Sequence, residues 1–106
     1  MFPLYVLIGD EQTFRKASTD DSLQWFERME VEDDPHWCWD LQGNKYKLIW
    51  DTKTRRIAPE LVLKDDRRGF KEAVLAFVRR VAGLKPARHF MTPDVLVNEV
   101  RDIMGG

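Results

Sequence analysis

The sequence predicts an α+β domain: a mostly antiparallel sheet of about four strands packed against two C-terminal helices, in the order β-α-β-β-β-α-α. Two observations indicate this fold. The first 63 residues contain short apolar or alternating runs separated by turn residues, with room for one short helix. Residues 66–106 contain two segments with helical periodicity and recognisable helix ends. We expect the helices to cover one face of the sheet.

Length and composition limit the function classes. A chain of 106 residues is typical of a single domain, here 1–106. The chain is 43% hydrophobic and carries 17 basic against 18 acidic residues, which excludes a disordered chain, a membrane protein and a histone-like basic binder. The one cysteine excludes an intrachain disulfide and a multi-cysteine zinc module. The first apolar run is short and has no basic leader, so we expect a cytoplasmic protein.

The N-terminal third predicts one strand and one short helix. The apolar run Leu4–Ile8 ends at Gly9-Asp10 and predicts a central strand. Residues 10–17 carry no clear pattern. The capping pattern Ser18-x-x-Asp21 predicts a short helix through Phe26, followed by an extended piece over Met29–Glu32. A strand over 23–31 is the alternative, because its large apolar residues share one parity.

A hairpin is predicted at residues 36–51, where two alternating runs flank Gly43-Asn44. Pairing Gln42 with Lys45 would place six large side chains on one face. The cross-strand pairs would be Leu41–Tyr46, Trp39–Leu48 and Trp37–Trp50. The opposite face, away from the core, would carry His36, Cys38 and Asp40.

The rest of the chain predicts one further strand and two helices. Residues 55–63 form the strand, and Pro59 restricts it to an edge or a bulge. A helix over about 66–82 follows from its apolar stripe and the Gly83 that ends it. The last helix has Thr92 as its cap and Pro93 at its first position.

No motif points to an enzyme, a metal or a cofactor. His36, Cys38 and Asp40 alternate on one strand, about 7 Å apart, which is too wide for one ion. Acidic neighbours would raise the pKa of the Cys38 thiol and make it a poor nucleophile. The glycines form no phosphate-binding loop.

The charge distribution is the feature that bears on partners. Residues 1–51 carry five basic and eleven acidic residues, a net of −6, and residues 52–106 carry twelve and seven, a net of +5. An exposed acidic turn would bind a basic partner protein, through Glu30, Glu32, Asp33, Asp34 and Asp40. The alternative is a nucleic-acid or anion-binding face, formed by Arg55, Arg56, Arg67, Arg68, Lys71, Arg79 and Arg88. A third interpretation is that these charges serve only solubility.

Three short segments support the first of these interpretations. They are Ser22-Leu23 through Phe26, Glu30-Val31-Glu32-Asp33-Asp34, and Trp39-Asp40-Leu41-Gln42-Gly43. Together they resemble small bacterial immunity proteins of contact-dependent, polymorphic toxin systems, in which a short helix and a strand with an acidic turn precede a D-x-x-G hairpin. The resemblance covers residues 22–43. It implies a bacterial cytoplasmic protein that neutralises a cognate toxin by binding it.

Overall fold

The computed structural model describes residues 1–8, 13–81 and 91–105 and confirms the α+β class. The strands are β1 (Leu4–Leu7), β2 (Phe14–Ala17), β3 (Trp37–Trp39), β4 (Lys45–Asp51) and β5 (Arg56–Leu63). The helices are α1 (Asp20–Leu23), α2 (Arg28–Asp33), α3 (Arg67–Val81), α4 (Pro93–Glu99) and α5 (Arg101–Met104). The fifth strand, β2, lies in the segment that carries no clear sequence pattern.

The five strands form one antiparallel sheet in the order β2-β1-β3-β4-β5. β5 is an edge strand, as Pro59 predicts, and Pro59 lies opposite Leu48. At the other edge, the backbone carbonyl of Phe14 in β2 accepts a hydrogen bond of 2.9 Å from the Met91 N–H. The order places β1 and β3 at the centre of the sheet, where both faces are buried.

One face of the sheet packs against α3, α4 and α5. Trp39 stacks on Phe70 of α3 with ring centroids 5.2 Å apart and an interplanar angle of 4°. Phe14 contacts Phe77 edge-on at 5.5 Å. These four residues are at most 3% exposed. The apolar stripe that predicts α3 therefore packs into a core that is rich in aromatic rings.

The opposite face is also covered, so the expectation of helices on one face only is wrong. Leu23, Phe26 and Val31 come from α1, α2 and the turn between them, and they pack on β-strand residues that include Cys38 and Leu48. α2 replaces the extended piece expected over Met29–Glu32. A helix places Val31 inward on this core, and it turns the neighbouring polar residues outward.

The predicted hairpin forms with a different register. Trp39 lies opposite Lys45 and Trp37 opposite Lys47, a shift of three residues from the predicted pairs. The connection is the longer loop Asp40–Asn44, because the Asp40 carboxylate accepts backbone hydrogen bonds inside it. An odd shift exchanges the faces, so Tyr46 and Leu48 lie in the core against α1 and α2, apart from Trp39.

The C-terminal helices follow the sequence closely. The Thr92 hydroxyl accepts a hydrogen bond of 3.4 Å from the Val95 N–H, and Pro93 begins α4. α3 spans Arg67–Val81, within the predicted 66–82, whereas the predicted stop at Gly83 lies outside the described residues. None of the helices in the described part of the chain is long and apolar enough to cross a membrane.

Candidate functional site

The acidic residues predicted to bind a partner cluster on α2 and just after it. Glu30, Glu32 and Asp33 are exposed, and Asp34 is half-buried. Val31 anchors the helix in the core, so the side chains half a turn away point outward. One of these is Met29, with 71% of its surface accessible. The outer side of α2 therefore combines one exposed apolar side chain with several acidic ones. We call it the α2 surface: Met29, Glu30, Glu32, Asp33 and Asp34.

Local contacts fix the α2 surface in place. The Glu27 N–H at the start of the helix donates a hydrogen bond of 3.3 Å to the Glu30 carboxylate, where a negative charge also favours the helix dipole. Glu32 pairs with Arg28 at 2.7 Å, one helical turn away. The Arg28 guanidinium lies 5.2 Å from the centre of the Trp50 ring on β4. An exposed pair of this kind adds little stability, but it orients Glu32 beside β4.

Asp40 lies elsewhere and is 1% exposed. Its Oδ1 accepts hydrogen bonds of 3.0 Å from the N–H groups of Gln42 and Asn44, and its Oδ2 accepts one of 2.9 Å from the Tyr46 hydroxyl. Burial, with the hydrogen bond and charge of Asp40 second, raises the pKa of Tyr46 to about 12. Asp40 therefore stabilises the loop between β3 and β4 and is not part of the α2 surface.

The alternating residues His36 and Cys38 are core residues of the face under α1 and α2. Burial, with the charge of Asp40 second, raises the pKa of the Cys38 thiol, so the thiol stays protonated and is a poor nucleophile. The His36 Nδ1 lies 2.9 Å from the Asp34 carbonyl, and its ring meets Phe26 edge-on. Within the described ranges, no three His, Cys, Asp or Glu residues are grouped to hold a metal ion.

The cations of the alternative nucleic-acid site have mostly local partners. Arg56 contacts both Asp20 and Asp21 at 2.9 Å. Arg67 pairs with Asp65 at 3.6 Å and Arg68 with Glu72 at 3.3 Å. Arg55 is exposed in the turn before β5, and Lys71 and Arg79 lie on α3, where the Arg79 side chain bonds the Leu75 carbonyl. Arg88 lies outside the described residues.

Two exposed apolar residues were missed by the sequence analysis. Trp25, within the predicted short helix, is 59% exposed, and Met29, at the start of the predicted extended piece, is 71% exposed. The Arg15 guanidinium lies 4.1 Å from the centre of the Trp25 ring. Both the helix and the strand pattern over 23–31 include Trp25 and Met29 among the apolar residues, so the sequence held no signal that they are exposed.

A groove runs between α2 and β4 beside the α2 surface. Its volume is about 260 Å³, and it is open to solvent along one side. The lining residues are Val31, Glu32, Lys47, Leu48, Ile49 and Trp50. Four consecutive strand residues line it, which means that the groove follows the edge of β4 rather than one face, because side chains on a strand alternate between faces.

No family model, curated protein or solved structure matches the chain.

Proposed function

We propose that the protein is a non-enzymatic binding module that uses the α2 surface to bind a basic partner protein. The observation that carries this proposal is the exposure of Met29, which is 71% accessible on the same short helix as the exposed Glu30, Glu32 and Asp33. Protein interfaces commonly have an apolar anchor, often aromatic or Met, within a polar rim. The partner would supply an apolar pocket for Met29 and Lys or Arg side chains around it.

The charge of the N-terminal half supports the same partner chemistry. Residues 1–51 carry a net charge of −6, so their field would speed the approach of a basic protein. This contribution acts mainly on the association rate and weakens with salt, because the Debye length falls from about 30 Å at 0.01 M to about 8 Å at 0.15 M. Association should therefore be fast at low ionic strength.

The resemblance over residues 22–43 suggests what kind of partner this is. If the protein is immunity-like, its partner is a toxin, and the protein acts in the bacterial cytoplasm by blocking that toxin. The buried, protonated Cys38 and the fully engaged Asp40 also favour binding over catalysis. We keep the nucleic-acid interpretation as an outcome of the test, with less support because Arg56, Arg67 and Arg68 have acidic neighbours.

The test begins with a pull-down from the native cell, followed by surface plasmon resonance against the recovered protein. Asp33→Asn/Asp34→Asn should slow association, and the slowing should shrink as salt is raised. The matched control is Asp94→Asn/Asp102→Asn, which removes the same charge from the exposed surface of α4 and α5. Equal slowing in both double variants would mean that the α2 surface has no special role.

Met29→Ala tests the apolar anchor separately. We expect about a tenfold faster dissociation, which corresponds to about 1.4 kcal/mol at a moderate hot spot. Recovery of nucleic acid instead of protein would favour the alternative function. Salt-dependent DNA or RNA binding that is abolished by Arg67→Ala/Arg68→Ala would then establish it.

A further inference from the structure

One edge of β4 extends beyond its partner strand. β3 has three residues and β4 has seven. The last strand pair is Trp37 with Lys47, and the Leu48 N–H then donates a hydrogen bond of 3.0 Å to the His36 carbonyl. β4 continues for three more residues to Asp51. Of these three, Ile49 and Trp50 line the groove.

The chain before β3 cannot continue the ladder. In the observed register, Pro35 would lie opposite Ile49 and Asp34 opposite Trp50. Pro35 would occupy a non-hydrogen-bonded position, so the next ladder bonds would have to come from Asp34. The Asp34 N–H bonds the Glu30 carbonyl at 3.2 Å, and the Asp34 carbonyl lies 2.9 Å from the His36 ring nitrogen. The backbone at these positions ends α2 instead of extending β3.

The direction of the Trp50 backbone follows from its partner in β5. Trp50 lies opposite Ile57. On the outer side of β5, the Ile57 N–H donates a hydrogen bond of 3.0 Å to the side-chain oxygen of Gln24, and the Ile57 carbonyl accepts one of 2.9 Å from the Gln24 side-chain nitrogen. In an antiparallel pair, two opposed residues either exchange both of their backbone hydrogen bonds or point both groups away from each other. Because Ile57 points its backbone groups outward, Trp50 does the same on its own side. The Trp50 N–H and carbonyl therefore point away from β5, toward the groove. No strand in the described part of the chain pairs with β4 there.

The outer edge of β5 shows how differently this protein treats another exposed edge. There, the Gln24 side chain forms hydrogen bonds with the Ile57 N–H and carbonyl. Pro59 has no N–H to donate, and a bulge shifts the register before Leu63. Side-chain caps, prolines and bulges are the usual protection of a sheet edge against additional strands. At Trp50 of β4, the described residues place no side-chain cap on the backbone and no proline or bulge in the strand. α2 packs beside this edge with the Arg28 guanidinium over the Trp50 ring, and the groove lies between the helix and the strand.

We infer that the partner contributes an extended, basic peptide segment that adds as a strand to β4 at Trp50. Strand addition draws affinity from backbone hydrogen bonds and specificity from alternate side chains. On the face under α1 and α2, the segment would meet Val31, Leu48 and Glu32, with further carboxylates of the α2 surface beside them. On the opposite face it would meet Lys47 and Ile49, so its basic side chains would face α2 and its apolar side chains would face the other way. The preference for Lys and Arg rests on the proposed function, whereas the open edge stands on the backbone geometry alone.

Amide hydrogen exchange of the free protein tests the open edge without any ligand. The Leu48 N–H is hydrogen-bonded to His36, and that of Trp50 faces the groove. We expect the Trp50 amide to exchange at least about tenfold faster than the Leu48 amide, because exposed amides exchange without local unfolding. Comparable protection of the two amides would mean that the edge is closed, and it would overturn the inference.

A designed peptide tests strand addition. The probe is a fluorescein-labelled peptide of four Lys-Val repeats, and its control carries N-methyl groups on alternate residues, which remove donors on one edge and preserve the charge. We expect the control to bind at least about tenfold more weakly than the probe. We also expect amide shifts on binding to centre on Trp50 and Leu48. Glu32→Gln should weaken binding of the probe.

The outcomes separate this inference from the proposed function. Equal binding of probe and control, or shifts centred on Leu61–Leu63 of β5, would exclude strand addition at β4 while leaving the α2 surface intact. Failure of the probe to bind at about 1 mM, a very weak affinity, would also reject strand addition. The proposed function is judged independently, by the effect of Asp33→Asn/Asp34→Asn on the recovered partner.

Discussion

The two faces of the sheet are both covered by helices, but different interactions hold them. The face under α3 is built of rings: Trp39, Phe70, Phe14 and Phe77 stack or meet edge-on. The face under α1 and α2 consists mostly of aliphatic residues, with Phe26 and Tyr46 among them and a buried carboxylate, Asp40, at one end. On the aromatic face, rings pack along one long amphipathic helix and Trp39 also bonds Asp66, whereas on the other face the buried Asp40 links the β3–β4 loop to Tyr46.

The largest expected effect is on the aromatic face. Trp39→Ala should lower the free energy of unfolding by about 3–5 kcal/mol, as truncation of large buried aromatic residues does. Trp39 is 3% exposed, stacks on Phe70, and donates a hydrogen bond of 3.0 Å from its ring N–H to Asp66. Urea unfolding followed by circular dichroism measures the change.

Trp25→Ala is the matched control, since Trp25 is 59% exposed. It should change the free energy of unfolding by no more than about 0.5–1 kcal/mol. Near-native stability of Trp39→Ala would contradict the comparison, because the aromatic face would then contribute no more than the surface.

The second effect is on the face under α1 and α2. Asp40→Ala should destabilise the protein by about 2–3 kcal/mol, because it removes a charged acceptor from buried donors. Tyr46→Phe removes only the hydroxyl at one end of this network and should have an effect of about 1 kcal/mol. If Asp40→Ala were no more destabilising than Tyr46→Phe, the loop hydrogen bonds to Gln42 and Asn44 would have no structural role.

The sequence predicted the elements whose signals are local and repeated. α3 has an apolar stripe over four turns, and α4 has both a capping Thr92 and Pro93. β2 was missed because only four residues form it, and two of them, Arg15 and Lys16, are charged. α2 was missed because its six residues bury one side chain, Val31, which gives no period to detect.

The candidate site was predictable only in part. Glu30, Glu32 and Asp33 were placed on an exposed turn and are exposed on a helix. Asp40 was grouped with them because charge is visible in a sequence, whereas its acceptance of the Gln42 and Asn44 amides is not. The groove could not be predicted, since it depends on β3 ending before β4.

The alkaline pH range separates the two faces more finely. On the face under α1 and α2, burial raises the pKa of Tyr46 to about 12 and also raises that of Cys38, with Asp40 adding to both. On the other face, burial and the hydrogen bond to Glu99 raise the pKa of Tyr5. The unfolded chain therefore loses these protons first, from about pH 9 for the thiol and 10 for the phenols. Stability is fully present below pH 9 and falls as the pH rises toward 12.

Two variants assign this loss to a face. Urea unfolding at several pH values should show a shallower decline between pH 10 and 12 for Tyr46→Phe, because one titrating group is gone. The decline lost is at most about 1.4 kcal/mol per pH unit for one proton. Tyr5→Phe measures in the same way how much of the decline in the free energy of unfolding comes from the aromatic face. A decline unchanged in Tyr46→Phe would show that Tyr46 keeps an ordinary pKa in the folded protein.

The smallest expected effect is that of a chelator, which tests whether the polar residues under α1 and α2 are structural. The Asp40 carboxylate already accepts backbone hydrogen bonds, Cys38 remains protonated, and the His36 Nδ1 lies against the Asp34 carbonyl. A metal would have to displace these interactions, and a structural ion would couple its binding to folding. We therefore expect EDTA to leave the melting temperature unchanged in wild type and in Cys38→Ser alike. A decrease of several degrees in wild type that is absent in Cys38→Ser would show that this face is held by an ion rather than by hydrogen bonds.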